Sequence, residues 1–328
     1  MNEKELEVLQ QYDIDVKSTR KVRGAVLCET KQGLFLLKEM RSSEKQIPAL
    51  YEIHLHLKKQ GYENVDMIQK NKEDAFWSIS EDETKYTLKK WFYGKECDNK
   101  KESDIMQGVQ NLALLHRILS KPPGVEVKKK EDLEQEFFRH NRELKKVRTF
   151  IRDKVGKGEF ELFFLKHFDA MYNWAVCASE RLQRCDYESL KMQSDQKKTL
   201  VHGDYNYHNV LLTPTGIATT NFEHLYEGIQ IADFYYFLRK TMEKNQWDVR
   251  LGHKMIECYN RILPFSPAEL EYLSVCIAYP EKFWKVTNSY YRSRKSWISA
   301  KSLEKLELAV KQTEEKKYFL ETLFSFHL

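Results

Sequence analysis

The chain has 328 residues, with 54 Lys and Arg against 49 Asp and Glu, so its net charge is only +5. Because charges of both signs are spread along the sequence, a nucleic-acid-binding protein with its strong basic patch is not expected. The charged N-terminus lacks the apolar core of a secretory signal, and no apolar run approaches the ~18 residues of a membrane span, so we expect a soluble protein of the cytoplasm.

Strand-forming residues dominate the beginning of the chain. Residues 22–29 and 34–38 are short apolar runs joined by a turn that ends in glycine, which predicts a β-hairpin. Residues 75–80 and 86–93 are two further strand candidates. Between the two pairs, the apolar spacing predicts a helix of about four turns over residues 48–61, with proline at its start and glycine at its end. We therefore expect a sheet confined to about the first ninety residues.

After Gly94 the pattern becomes helical almost to the end of the chain. Residues 104–119 have one apolar face, which predicts a helix that ends at a Pro-Pro-Gly break. Residues from about 130 to 190 predict a helical hairpin. The length predicts one large domain or two packed lobes. The pattern divides the chain into a β-rich N-terminal part over residues 1–93 and a mainly helical part over residues 94–328.

The residues most indicative of chemistry follow Val201. Asp204 and Asn209 have the H-x-D-x-x-x-x-N spacing of a kinase catalytic loop, which begins here at His202. In such a loop the carboxylate accepts the proton of the acceptor hydroxyl, and the amide oxygen is a ligand of the metal on the nucleotide phosphates. These are the roles we predict for Asp204 and Asn209. As an alternative, His202 packs against the loop backbone, and the other polar residues form Asx turns and a strand cap.

Three phrases of the sequence resemble a known family. They are HGDYNYHNVL from His202, GIQIADFYYFLRK from Gly228 and YYRSRKSWISAKSLEKL from Tyr290. These phrases are similar to those of the CotS-type spore coat proteins of endospore-forming bacteria, within the aminoglycoside phosphotransferase and choline kinase branch of the protein-kinase-like fold. The resemblance covers nearly the whole chain. It implies an α+β, two-lobed protein-kinase-like fold, with a small antiparallel sheet and a helix in the N-terminal lobe.

The resemblance also implies roles in the N-terminal lobe. Lys38 is where the fold places the lysine that contacts nucleotide phosphates, and Glu52 is where its ion-pair partner would lie. Trp91 and Phe92 belong to the segment that would form the hinge around adenine. As alternatives, Lys38 and Glu52 are solvated side chains, while Trp91 and Phe92 are core residues. By the same resemblance, Asp233 is a structural carboxylate for the catalytic loop, or else a plain helix cap.

One position departs from the pattern of an active enzyme. The residue that chelates Mg²⁺ in kinase-like enzymes is normally an aspartate, and here it is Asn221. An amide keeps an oxygen but removes one negative charge, so ATP and Mg²⁺ are expected as weakly bound cofactors. Glu223 is a candidate substitute ligand, because alternation along a strand would place it on the same face as Asn221.

Two functions follow from the resemblance. The first is a spore coat protein on a kinase scaffold that transfers phosphate from ATP to the hydroxyl of a small molecule. The second is a pseudokinase, a structural or binding component of the coat whose partners are other coat proteins. A C-terminal run of cations and aromatic side chains could bind an anionic acceptor or a coat partner, or could pack its aromatic rings inward on a helix. The run comprises Trp284, Tyr290, Tyr291, Arg292, Arg294, Lys295 and Trp297.

Overall fold

The structure is a computed structural model that describes residues 3–293 and 300–327. These residues form two compact units. The first unit comprises residues 3–129 and 197–233, and the second comprises residues 130–196 and the described residues after 233. No helix among the described residues is long and apolar enough to cross a membrane.

An antiparallel sheet occupies the N-terminal part of the first unit. Its strands are β1 (Val16–Val22), β2 (Ala25–Thr30), β3 (Gly33–Glu39), β4 (Ile68–Gln69), β5 (Ser78–Ile79) and β6 (Lys85–Lys90). The strand order is β1-β2-β3-β6-β4, and β5 pairs with β6. The predicted hairpin is β2–β3, in which Ala25 pairs with Lys38 and Thr30 pairs with Gly33.

Both faces of the β2–β3 hairpin are apolar. On one face, Val26 and Leu37 pack in a cluster with residues of helix α1 (Glu3–Gln10). On the other face lie Ala25, Leu27, Leu34 and Leu36, with Trp91 partly buried against them. This second face becomes the wall of a cavity.

Two longer helices complete the predicted elements of the first unit. Helix α2 (Gln46–Lys59) begins two residues before the predicted start, and helix α3 (Glu102–Leu119) matches the prediction closely. Helix α2 turns Ile53, His54 and Leu57 inward, and all three are fully buried. Glu52 is exposed on its outer side.

The prediction that strands are confined to the first ninety residues is wrong. Two small antiparallel sheets, β10-β9-β7 and β11-β8, follow in the first unit. Their strands are only two to four residues long, and most of them pair with partners far away in sequence, so local periodicity carries no signal for them. The strands are β7 (Lys95–Glu96), β8 (Leu200–Val201), β9 (Val210–Thr213), β10 (Gly216–Thr219) and β11 (Tyr226–Glu227).

The second unit is formed by helices. The predicted hairpin consists of α4 (Leu133–Asp153) and α5 (Glu159–Arg184), and a third helix follows directly. Its core contains stacked aromatic rings such as Phe164 and Phe283, whose centroids lie 5.5 Å apart. The remaining helices are α6 (Tyr187–Lys197), α7 (Ile231–Met242), which begins in the first unit, α8 (Val249–Asn260), α9 (Pro267–Ala278), α10 (Glu281–Arg292), α11 (Ala300–Lys311) and α12 (Thr313–Phe324).

The aromatic and cationic run near the C-terminus lies partly on α10. The Trp284 indole donates a hydrogen bond to Glu143 at 2.8 Å, and Arg292 contacts the other oxygen of Glu143 at 2.8 Å. The Tyr290 hydroxyl donates to Glu161 at 2.8 Å, while Tyr291 is exposed. These contacts favour a packed helix over a free binding surface for this part of the run. Three members of the run lie outside the described residues: Arg294, Lys295 and Trp297.

Candidate functional site

A cavity of about 510 Å³ lies in the first unit beside the β2–β3 hairpin. One wall is the apolar face of the hairpin. Trp91 and Phe92, which follow directly after β6, extend this wall. The opposite end is polar. Its lining side chains are Lys38, Asp66, Lys89, Asn209 and Asn221. A concave site of this size, with an apolar wall and converging polar groups, is typical of a cofactor pocket.

Strand β3 brings Lys38 to the polar end of the cavity. Its side chain is on the face opposite to Leu37, which is buried in the core. The Lys38 ammonium donates to Asn221 Oδ1 at 3.2 Å and to Glu223 Oε2 at 2.9 Å. Glu223, rather than Glu52, is therefore the carboxylate partner of Lys38. Glu52 is not brought to the site because the rotation of α2 points it to solvent.

The segment between β8 and β9 positions Asp204. Both of its carboxylate oxygens accept hydrogen bonds from neutral amides. Asn206 Nδ2 contacts Oδ1 at 2.9 Å, while Asn209 Nδ2 and Asn221 Nδ2 contact Oδ2 at 2.8 and 2.9 Å. The structure therefore brings together Asp204 and Asn209, the pair expected from the motif spacing, and Asn221, the position expected from the resemblance.

Asp233 holds the backbone of this loop. The N–H groups of His202 and Gly203 donate to its two oxygens at 2.6 and 2.9 Å. Gly203 has a φ of 82°, and a Cβ at this position would lie 2.2 Å from the carbonyl oxygen of His224, so only glycine fits. His202 is fully buried, and its Nε2 lies 3.1 Å from the carbonyl oxygen of Thr220. In the structure His202 thus supports the loop by packing, as in the alternative considered from the sequence.

The segment that contains Asn221 is not a strand. Asn221 has a left-handed backbone with a φ of 68°, and residues Phe222–His224 form a short 3₁₀ helix. The alternation expected for a strand therefore does not apply. Asn221 and Glu223 nevertheless both reach Lys38, because the tight turn brings side chains two residues apart to the same side.

A buried ionic network lies behind Lys38, and motif analysis missed it. The Lys89 ammonium donates to Glu223 Oε1 at 2.7 Å and to Asp66 Oδ2 at 3.4 Å, and Lys89 is only 2% exposed. The backbone N–H of Asn221 also donates to Asp66 Oδ2, at 2.9 Å. The sheet register indicates that Lys89 faces the cavity. Lys89 pairs with Leu36 on β3, so the two side chains share the face that lines the cavity.

The network keeps Glu223 and Lys89 charged. Burial raises the pKa of Glu223, but the ammonium groups of Lys89 and Lys38 outweigh this effect and lower it to about 2. Burial likewise lowers the pKa of Lys89, yet Asp66 and Glu223 raise it by more, so that the net shift is upward. Nearby, burial lowers the pKa of His54 to about 4, which keeps the imidazole neutral at pH 7.

The side chains at the site do not fit the expected Mg²⁺. Each carboxylate oxygen of Glu223 contacts an ammonium group, and each oxygen of Asp204 accepts from an amide. Asn221 presents its amide nitrogen, a donor, to Asp204. Within residues 3–293 and 300–327, no group of three or more His, Cys, Asp or Glu side chains is arranged to hold a metal ion. The carboxylate oxygens of Asp204 and Glu223 are thus already paired with asparagine amides and lysine ammonium groups.

The fold is shared with solved phosphotransferase structures. An aminoglycoside phosphotransferase from Alicyclobacillus acidocaldarius superposes with a TM-score of 0.86 at 17% identity, over 98% of this chain and 95% of that chain. The AMP-bound complex of a spectinomycin phosphotransferase superposes with a TM-score of 0.68 at 12% identity, over 98% of each chain. At these identities the comparison shows the kinase-like fold.

Sequence comparison identifies the family. Spore coat protein S of Bacillus subtilis (strain 168) is 24% identical over 333 residues, which cover 97% of this chain and 93% of that protein. The sequence profile of the family described as "Spore coat putative kinase YutH" matches residues 5–323. These findings confirm the resemblance inferred from the three sequence phrases. Because the profile spans nearly the whole sequence, this chain belongs to that family of kinase-like spore coat proteins.

Proposed function

We propose that this chain is a spore coat protein that binds a nucleotide in the cavity beside the β2–β3 hairpin. One observation carries the proposal: Lys38, Trp91, Phe92, Asn209 and Asn221 are far apart in sequence but line one cavity. The apolar wall suits a purine base, and the ammonium of Lys38 suits its phosphates. A solved structure of the same fold is described as AMP-bound, which supports a nucleotide as the ligand class.

Within this proposal, a non-catalytic role is favoured over efficient phosphate transfer. Both oxygens of Asp204 accept hydrogen bonds from asparagine side chains, and an amide replaces the usual metal-binding aspartate at Asn221. The second candidate is slow transfer to a small-molecule hydroxyl. In that reaction Asp204 would accept the hydroxyl proton while the oxygen attacks the γ-phosphorus and ADP leaves. The partly buried Asp204, which occupies the catalytic-loop position, is the observation that supports it.

The family and the Bacillus subtilis relative support a location in the spore coat, with other coat proteins as partners. An antibody against the chain should detect it in the coat fraction of purified spores. Detection only in the spore core or in the supernatant would contradict this location.

Replacing Lys38 tests nucleotide binding directly. Lys38→Met removes the ammonium that faces the phosphates but keeps the length of the side chain, so ADP should bind at least about tenfold more weakly. Isothermal titration calorimetry measures the effect. Lys31→Met is the matched control, because Lys31 lies in the turn of the same hairpin and its ammonium pairs with Asp15 at the surface. Equal affinity for ADP in Lys38→Met and Lys31→Met would contradict the proposed site.

A further inference from the structure

Lys89 is an unusual residue for the wall of a nucleotide cavity. It is 2% exposed and lies on β6, immediately before the segment with Trp91 and Phe92. An ammonium in such a place is stable only when carboxylates surround it, because its desolvation is expensive. Asp66 and Glu223 provide that environment. Lys89 belongs to none of the motifs that define the catalytic loop.

Lys89 and Lys38 share one carboxylate. Glu223 contacts Lys89 through Oε1 at 2.7 Å and Lys38 through Oε2 at 2.9 Å. Together with Asp66, these four side chains carry two positive and two negative charges, so the cluster is neutral. A divalent cation is held mainly by uncompensated carboxylate charge. To coordinate Glu223, such a cation would have to displace an ammonium group.

Asn221 completes the arrangement. Its side-chain oxygen accepts from Lys38, and its side-chain nitrogen donates to Asp204 Oδ2 at 2.9 Å. An aspartate in the same rotamer would place a second carboxylate oxygen against Asp204. The Asn221 amide therefore connects Lys38 to Asp204 by hydrogen bonds. With an aspartate at residue 221, a metal ion would be needed between the two carboxylates.

We propose that the ammonium of Lys89 takes the place of the divalent metal at this site, so that nucleoside diphosphates and triphosphates bind without a divalent cation. Lys89 acts as a positioning residue: it holds Glu223 against Lys38 and excludes metal, while Lys38 faces the phosphates. This inference rests on the proposed nucleotide binding in the same cavity.

The first experiment compares the affinity of the wild-type chain for ADP in EDTA and in excess Mg²⁺ by isothermal titration calorimetry. We expect the two dissociation constants to agree within about twofold. A strict requirement for Mg²⁺ would overturn the inference but leave nucleotide binding intact. The absence of ADP binding in both conditions would instead overturn the proposed function, and the inference with it.

The second experiment tests the role of Lys89 with a metal probe alone. In Lys89→Met combined with Asn221→Asp, Glu223 loses one ammonium and a carboxylate is added, so Mn²⁺ should bind and be detectable by electron paramagnetic resonance without nucleotide. The same double variant should bind ADP more tightly with Mg²⁺ than in EDTA, by about tenfold or more.

The matched control is Lys90→Met combined with Asn221→Asp, which removes an exposed neighbouring lysine and should bind no Mn²⁺. Circular dichroism establishes that each variant is folded, and Lys89→Gln replaces Lys89→Met if the latter does not fold. Folded Lys89 double variants that bind no Mn²⁺, or a Lys90 control that binds it equally well, would show that Lys89 does not exclude the metal.

Discussion

Asn221 donates a hydrogen bond to Asp204 that an ionised aspartate at the same position could not donate. Its amide accepts from Lys38 and donates to Asp204, while its left-handed backbone, with a φ of 68°, is a conformation that asparagine tolerates well. The substitution that sequence reasoning treats as the loss of a metal ligand is thus also the gain of a hydrogen bond that connects two ionic groups.

Asn221→Asp should therefore destabilise the fold when no metal is present. The new carboxylate would lie beside Asp204, and we expect the free energy of unfolding to fall by about 1–3 kcal/mol in EDTA. Urea denaturation measures the change. Asn221→Gly is the control, because it removes the hydrogen bonds without adding charge and fits the left-handed backbone, and it should lose less. If the single variant instead becomes more stable in Mg²⁺ and binds ADP more tightly, the site is a kinase site weakened at one ligand.

At the scale of elements, the loop between β8 and β9 depends on one glycine. Gly203 has a φ of 82° and lies against the carbonyl oxygen of His224, in the loop that carries Asp204. Gly156, in the turn between α4 and α5, has a φ of 72° but has no atom within 4 Å of the position a Cβ would take. At both positions a residue with a side chain would be strained by the positive φ, but only at residue 203 would the side chain also collide with a neighbouring atom.

Gly203→Ala should cost more stability than Gly156→Ala. Gly156→Ala should lose only the conformational penalty of about 1 kcal/mol. Gly203→Ala adds a collision with the backbone, so its total loss should be roughly 3 kcal/mol or more. Thermal unfolding followed by circular dichroism compares the two. Similar losses in both variants would mean that the loop adapts to a side chain at residue 203.

Elements with a strong local signal were predictable from the sequence. The β2–β3 hairpin, α2, α3 and the α4–α5 hairpin each have apolar spacing or turn residues that fix their type. The strands from β7 to β11 were not, because each has at most four residues and most of them pair with partners distant in sequence, as β7 does with β9 and β8 with β11. The boundary between lobes at residue 93 stays a prediction.

The site was predictable where a motif fixes the spacing. Asp204 and Asn209 came from the catalytic-loop pattern, and the structure places them together. Glu52 was placed by the resemblance and by its position in the helix that follows Lys38. Because a helix rotates by about 100° per residue, position along the helix does not fix the direction of the side chain. Lys89 and Asp66 belong to no motif, and only the fold shows that they meet Glu223.

At the scale of the whole molecule, two buried histidines make stability depend on pH. Burial lowers the pKa of His54 to about 4 and that of His140 to about 3, from the usual 6.5. Both imidazoles are neutral in the folded chain, and unfolding allows them to take up protons below pH 6.5. Their contribution is therefore complete above pH 6.5 and is lost as the pH falls towards 4.

The free energy of unfolding should decrease between pH 6 and pH 4 by on the order of 1 kcal/mol per pH unit for each histidine. Urea denaturation at several pH values measures this slope. His54→Gln should reduce it, and His253→Gln, which alters a histidine side chain that is 57% exposed, should not. Below pH 4.5 the slope should steepen, because Glu223 loses its charge in the unfolded chain first. A flat profile between pH 6 and pH 4 would contradict the assignment.

The ion pairs around Glu223 also affect how this site could evolve by point mutation. If Lys89 replaces the divalent metal as proposed, metal-dependent nucleotide binding requires two substitutions, a carboxylate at residue 221 and a neutral side chain at residue 89. Either change alone leaves a poorly compensated charge in a mostly buried place, either against Asp204 or on Glu223. Each single variant is therefore expected to be less stable than the present chain, and the double variant regains that stability only with a divalent cation bound. Once established, this arrangement is difficult to reverse by point mutation, and a lineage that carries it is expected to keep it.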